Sequence, residues 1–446
     1  MTCEQEREVE RSETSLSSHR SATESGSAKH GRREAAGFWR GRSRKGKQAM
    51  DKKKDVAIFG LWWSWNYGSI MTYYALYRTI KEMGYSVTMI DRPGFKPDAP
   101  IYHSHGRRFA KEHYEAITPV FGFREMRELN AYADTFVMGS DQVWNYGISR
   151  HYHGGLFFNF LDDDKRRLSY AASFGHPGFF APEEEIAVTK GYLEKFDGIS
   201  VREKDAVGVV NHTFGLQAVR VLDPVFLIHK KIYHELAQKS EAKRHPLVKG
   251  AYMAVYILDG NPEKKAAAQY LSEKLGLPMV VLLDGTMPKF EEHRKKVDLS
   301  PAAENLQVED WLYYMENCSY LFTDSCHGAS FAIIHEKPFV CVKNRDRGIS
   351  RFESLGDVFG LCDRFVEDPL EVQRREELLE APDYGRVNRI LESERERSLK
   401  WLSETLKKPV LPVGEKGNVY VPPKRPVHDF AARCYRLLKR IYRKLF

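Results

Sequence analysis

The stretch 320-YLFTDSCHGASFAIIHEKPFVCV-342 decides how the rest of the chain is read. Tyr320-Leu321-Phe322 is apolar and stops at Thr323-Asp324-Ser325. A histidine and a glycine follow, and Ala329 to His335 then reads as the start of a helix. Lys337-Pro338 turns the chain into a second apolar run, Phe339 to Val342. A strand, a loop, a helix and another strand make a parallel crossover unit. In open parallel sheets, ligands sit beyond the carboxyl ends of the strands. That is where this reading puts the loop 324-DSCHG-328. His327 is therefore a candidate acid/base, and a structural histidine held in a loop is the alternative. Free N–H groups at the helix start favour an anion, and Gly328 would allow a ligand or backbone close approach.

The same alternation runs outward in both directions. "VAIFGL" (56–61), "SVTMID" (86–91) and a run at 135–138 read as strands. "MTYYALYRTIKEMG" has helical apolar spacing and ends at Gly84, a plausible C-cap. After "RVLDPVFLI" the pattern restarts with "AYMAVYIL", "PEKKAAAQYLSEKLG" and "PMVVLL". The fold class is α/β, with two Rossmann-like domains facing a cleft. The expected domains are 50–228 and 229–383, the second carrying His327. A long amphipathic helix is expected over 384–408, chiefly 384–406. Residues 409–446 read as a linker and a basic amphipathic helix, 427–445.

Composition narrows the function. The 446 residues are 42% hydrophobic, enough for sizeable cores. No run approaches the ~18 apolar residues of a membrane span, and no secretory h-region opens the chain. Residues 1–49 are Ser-, Glu-, Arg- and Gly-rich and read as a disordered basic extension, with Met50 as the expected true start. The six cysteines form no C-x-x-C pair, so reduced cytosolic thiols are expected. Cys326, beside His327, reads as a small buried hydrophobe rather than a nucleophile. The net charge of +8 is uneven: residues 1–54 carry +6 and 407–446 carry +9, leaving −7 between them. A mildly acidic body does not read as a nucleic-acid binder. The tail reads instead as a surface for anionic membrane. "YHSH" and "HYH" lack an acidic partner at ligand spacing, so no metal is expected. No G-x-G-x-x-G supports a dinucleotide.

Seven stretches, taken in order, carry a resemblance: 65-WNYGSIMTYYAL-76, 136-FVMGSDQVWN-145, 169-SYAASFG-175, 200-SVREKDA-206, 221-VLDPVFLI-228, 309-EDWLYYMENCSYLFTDSCHGASFAIIHEKPF-339 and 350-SRFESLG-356. Together they resemble the polysaccharide pyruvyl transferase family. The resemblance implies a GT-B-like architecture and transfer of the enolpyruvyl carbons of phosphoenolpyruvate onto a sugar. The product would be a pyruvate ketal, formed without a metal or other cofactor.

The same resemblance implies that His327 is catalytic and that Arg202, in "SVRE", binds the donor. A pair with Glu203 or Asp205 is the alternative for Arg202. Some members carry Arg two residues before the motif histidine, where this chain has Ser325. Arg351 is the first choice to replace that cation, ahead of Lys343, Arg345 and Arg347. On the acceptor side the resemblance implies Asn66 and Tyr67 of the "N-Y-G" loop, Asp141 and Trp144. Asp141 would orient or deprotonate a hydroxyl, or cap a helix, and Trp144 would stack on a pyranose. The expected partners are phosphoenolpyruvate and a polymeric or lipid-linked glycan. The expected place is the cytoplasm, peripheral to the inner membrane face. A nucleotide-sugar glycosyltransferase and a non-catalytic carbohydrate-binding assembly protein are the alternatives.

Overall fold

A computed structural model describes residues 53–94, 104–283, 290–303, 306–410 and 412. The expected leader over 1–49 and the basic helix over 427–445 lie outside the described residues.

Two parallel six-stranded sheets, each flanked by helices, make two Rossmann-like halves. The first sheet runs β2 (Val87–Met89), β1 (Lys54–Phe59), β3 (Ala133–Met138), β4 (Arg166–Ala172), β5 (Gly198–Val201), β6 (Val219–Arg220). The second runs β12 (Phe365–Val366), β11 (Phe339–Val342), β10 (Tyr320–Thr323), β7 (Met253–Tyr256), β8 (Met279–Leu282), β9 (Ala302–Ala303). Every pairing is parallel, with Val56 opposite both Val87 and Thr135, and Leu321 opposite both Phe339 and Ala254. Most strand residues are buried on both faces, as parallel strands between helices must be, while the edge strand β6 is partly exposed. The first strand starts at Lys54 and ends at Phe59, earlier than the 56–61 expected from its apolar residues. Pairing of Lys54 with Ala133 extends it into the charged lead.

Strand order reverses between β1 and β3 in one sheet and between β7 and β10 in the other. Chain connections leave such a switch point in opposite directions, so a crevice opens there. The crevices meet along one seam. Helix α1 (Tyr67–Glu82) leaves β1, with α2 (His105–His113) beside it. Helices α3 (Val308–Asn317), α4 (Cys326–Ile334) and α5 (Ser350–Phe359) belong to the second half. Helix α1 is buried on nearly all sides from Tyr67 to Tyr77, against its own sheet and against the second half. Tyr67 stacks on Trp311 and donates to the Leu306 carbonyl at 2.7 Å. Arg108 reaches across to Glu309 at 2.6 Å.

Helix α6 (Tyr384–Lys407) runs back from the second half to the first. Ser398 accepts from the Leu222 amide at 3.0 Å, and Arg220 pairs with Glu394 at 2.7 Å.

The second crevice is braced by Asp324, which is fully buried. It accepts from the Leu258 amide at 2.6 Å and the Asp259 amide at 3.1 Å, and pairs with Lys264 at 2.7 Å. Arg347 clamps Asp259 at 2.5 Å. Removing one partner of a buried pair strands the others without water, at a cost of roughly 3–5 kcal/mol. Asp324→Ala should lower the stability of the folded chain by about that amount. Urea unfolding would measure it, and a loss under ~1 kcal/mol, no more than an exposed pair gives, would show that the brace is dispensable.

Candidate active site

His327 sits in the first turn of α4 rather than in a loop ahead of it. The helix begins three residues earlier than Ala329 because Ser325 caps it, its Oγ accepting from the Gly328 amide at 3.2 Å. Ser325 itself is held by a bond from its amide to Thr323 Oγ1 at 3.0 Å. Sequence spacing placed the cap too late because Cys326 and His327 break the apolar run without breaking the helix. Ser325 and Gly328 are thus parts of the helix start. A Cβ on Gly328 would lie 2.4 Å from Thr323 Oγ1, so its bare Cα serves packing rather than the close ligand approach expected of it.

The His327 ring crosses the seam and lies against α1. Its Nε2 is 3.1 Å from Thr72 Oγ1 and 3.5 Å from Asp223 Oδ2. A Cβ on Gly68 would fall 2.3 Å from His327 Cγ and Nδ1, so only glycine admits the ring here. Gly68 and Thr72 are four residues apart and share one helix face. Asp223 is the centre of the group. It accepts from Arg202 Nη1 at 2.6 Å, from Thr72 Oγ1 at 3.2 Å and from the Val225 amide at 3.1 Å. Burial alone would raise the Asp223 carboxyl, but the His327 ring and the Arg202 guanidinium beside it hold it far below the ordinary range.

Arg202, 8% exposed, is shared between Asp223 and Glu203, whose Oε1 lies 2.8 Å from its Nε. The alternative pair with Glu203 is therefore present, but buried and inside the site. Arg351, 9% exposed, arrives from α5 and donates to the Arg347 carbonyl. Asp141 faces both arginines, at 3.4 Å from Arg351 and 3.8 Å from Arg202. It caps no helix. It sits at φ 72°, a left-handed conformation that Asp tolerates better than most residues. Burial opposes its ionisation, yet Arg351, Arg202 and His327 hold its carboxyl below the usual value. Arg202 Nη2 and Arg351 Nε are buried without a hydrogen-bond partner. A small cavity lined by Arg202, Asp223, Cys326 and Arg351 opens beside them.

Two expectations need correction. Trp144 is 0% exposed, stacks on Phe157 at 5.8 Å and donates Nε1–H to the Leu156 carbonyl. It is core, with no face left for a sugar. Tyr67 is committed to Trp311 and Leu306 across the seam and is likewise closed to an acceptor. Asn66 caps α1, accepting from the Ser69 amide at 2.9 Å. Cys326 is buried, which pushes its thiol up to about 11, so the small-hydrophobe reading fits it. Sequence reasoning missed Thr72 and Asp223. Their signal was faint: a four-residue spacing in one helix and an Asp-Pro in "VLDPVF".

A sequence model of the family described as polysaccharide pyruvyl transferase matches residues 66–346. No curated protein matches the chain. Among solved structures, UDP-GlcNAc 2-epimerase from Neisseria meningitidis superposes with a TM-score of 0.49 at 10% identity, covering 79% of this chain and 98% of that one. The wall teichoic acid polymerase TagF gives 0.45 at 10% identity over 80% and 88%. An O-GlcNAc transferase mutant from Thermobaculum terrenum gives 0.40 at 12% identity over 88% and 68%.

The geometry separates core from site by mutation. Trp144→Ala should cost roughly 3–5 kcal/mol of stability; a folded, equally stable variant with only weakened acceptor binding would restore Trp144 to the site. Gly68→Ala should displace the His327 ring and lower turnover at least tenfold, at a stability cost of about 1–3 kcal/mol. Unchanged turnover would show that the ring contact is incidental.

Proposed function

The chain belongs to the polysaccharide pyruvyl transferase family, and we propose that it moves the pyruvyl carbons of phosphoenolpyruvate onto two hydroxyls of one sugar in a polysaccharide or its lipid-linked precursor. The observation that carries this reading is the pair of buried guanidinium groups, Arg202 and Arg351, each with an N–H that lacks a hydrogen-bond partner, lining one cavity with Cys326, the residue before His327. Two arginines in one dry pocket suit a small ligand with a carboxylate and a phosphate. Asp141, the carboxylate that faces both, is held only at 3.4 and 3.8 Å, longer than a charge-assisted hydrogen bond. A donor anion would take over both cations and release Asp141 toward the acceptor. Arg351 then supplies the charge that some relatives carry where this chain has Ser325.

The chemistry follows from these positions. His327 delivers a proton to the vinyl carbon C3, and C2 becomes an oxocarbenium-like electrophile. A sugar hydroxyl attacks C2 while Asp141 draws off its proton. The C2–O bond to phosphate breaks, and a second hydroxyl of the same sugar closes the ketal. Of the two hydroxyl protons, one replaces that spent on C3 and the other leaves with phosphate. No electron changes hands, so the reaction calls on no redox cofactor.

The test is incubation with phosphoenolpyruvate and a glycan acceptor in D₂O. Phosphate release should depend on the acceptor, and the product methyl should carry one deuterium from the acid. A product without deuterium would overturn protonation at C3, and transfer only from a nucleotide sugar would overturn the donor. Arg351→Met should raise the Michaelis constant for phosphoenolpyruvate at least tenfold, whereas a rise confined to the acceptor would move Arg351 to the other subsite. The basic segment 427–446 would bring the enzyme to an anionic leaflet bearing the lipid-linked acceptor. Deleting it should abolish co-sedimentation with anionic vesicles and spare activity on a soluble acceptor. Equal vesicle binding without it would remove this role.

A further inference from the structure

The acid and its charge partner come from different halves of the molecule. His327 belongs to the second half, and Thr72 and Asp223 belong to the first. The hydrogen-bond directions are fixed by elimination. Asp223 accepts from Arg202 and from the Val225 amide, so it is an acceptor toward Thr72 as well. The Thr72 hydroxyl has a single proton, and it is given to Asp223 Oδ1. What Thr72 offers His327 is a lone pair, so the nitrogen facing it, Nε2, must carry hydrogen. The direct approach of Nε2 to Asp223 is 3.5 Å, longer than a hydrogen bond, so the hydroxyl is the link between ring and carboxylate.

The charged groups next to this link are Arg202 and Arg351, which stand against Asp141, Asp223 and Glu203. Helix α1 brings only Thr72 and the bare Gly68 to the ring.

We propose that Thr72 is a positioning residue that couples His327 Nε2–H to the Asp223 carboxylate across the seam. This rests on the reading of His327 as the acid. Thr72 bonds Oδ1 of Asp223 and Arg202 bonds Oδ2, and Thr72 lines no part of the arginine cavity. Its loss should therefore spare donor binding.

Thr72→Val keeps the shape and removes the hydroxyl, while Thr72→Ser keeps the hydroxyl. In the full-length protein, Thr72→Val should lower kcat about tenfold with the Michaelis constant for phosphoenolpyruvate within twofold. The basic limb of the kcat profile should move down by about one pH unit, as expected when a charge-stabilising partner is removed. Thr72→Ser should restore both. Wild-type turnover and an unmoved limb in Thr72→Val would overturn the proposal, and so would equal losses in both variants, because packing alone would then explain them. A second measurement does not depend on the reaction. Nitrogen-15 spectra of the His327 imidazole should show Nε2 protonated and titrating about one unit lower in Thr72→Val. An unchanged titration would overturn the coupling even if phosphoenolpyruvate is the donor. A shifted titration without phosphoenolpyruvate turnover would instead condemn the donor and leave the coupling standing.

Discussion

The Asp223 carboxylate is the point on which the two halves agree. Arg202, Thr72 and the Val225 amide hold it from the first half, and His327 approaches it from the second. A buried ion loses several kcal/mol of hydration, and only close partners restore it. Here those partners come from two domains. Within the first half Asp223 and Arg202 are already paired, and the second half brings the His327 ring against a charge fixed in position. Burial strengthens the field of the pocket, because an anion beside a buried guanidinium feels it more strongly than it would in water.

The second half supports its side of the pocket through a continuous set of contacts. Asp324 holds Lys264 and the turn after β7, and Asn344 bridges to Asp259 at 2.6 Å. Asp259 fixes Arg347, whose carbonyl accepts from both Gln142 and Arg351. The switch point of the second sheet is thus tied to the arginine that faces Asp141. This explains how a cation can be supplied from α5 when the loop before His327 offers only Ser325. The helix starts are neighbours, with Cys326 Sγ 3.7 Å from the Arg351 carbonyl, so a charge borne on either can reach the same pocket.

The aromatic residues of the motifs illustrate how one residue type can serve two ends. Tyr67 and Trp144 both stand next to chemistry in the sequence, Tyr67 before Gly68 and Trp144 three residues after Asp141. Both are wholly buried with their polar atoms bonded to carbonyls. Large rings give the motif loops rigid anchors, and Gly68, next to Tyr67, then admits the His327 ring. Tyr67 also joins the halves, since it sits flat between His105 and Trp311.

The sequence by itself determined the alternation of strands and helices, because apolar period and flanking Gly, Pro and Asp residues are local properties. It also placed His327, Arg202 and Asp141 beyond strand ends, where parallel sheets put their ligands. Ends of elements shifted by a few residues wherever pairing or capping set the limit, as at Lys54 and Ser325. Tertiary structure alone decided which charges meet. Thr72, Asp223 and His327 lie 151 and 104 positions apart along the chain, and no local pattern records a contact of that range. It also decided which side chains are buried, turning Trp144 from a candidate sugar platform into core. The reason is the same in both cases: hydrogen-bond direction and exclusion of water are properties of packed neighbours, and a local pattern of residues does not say which neighbours those are.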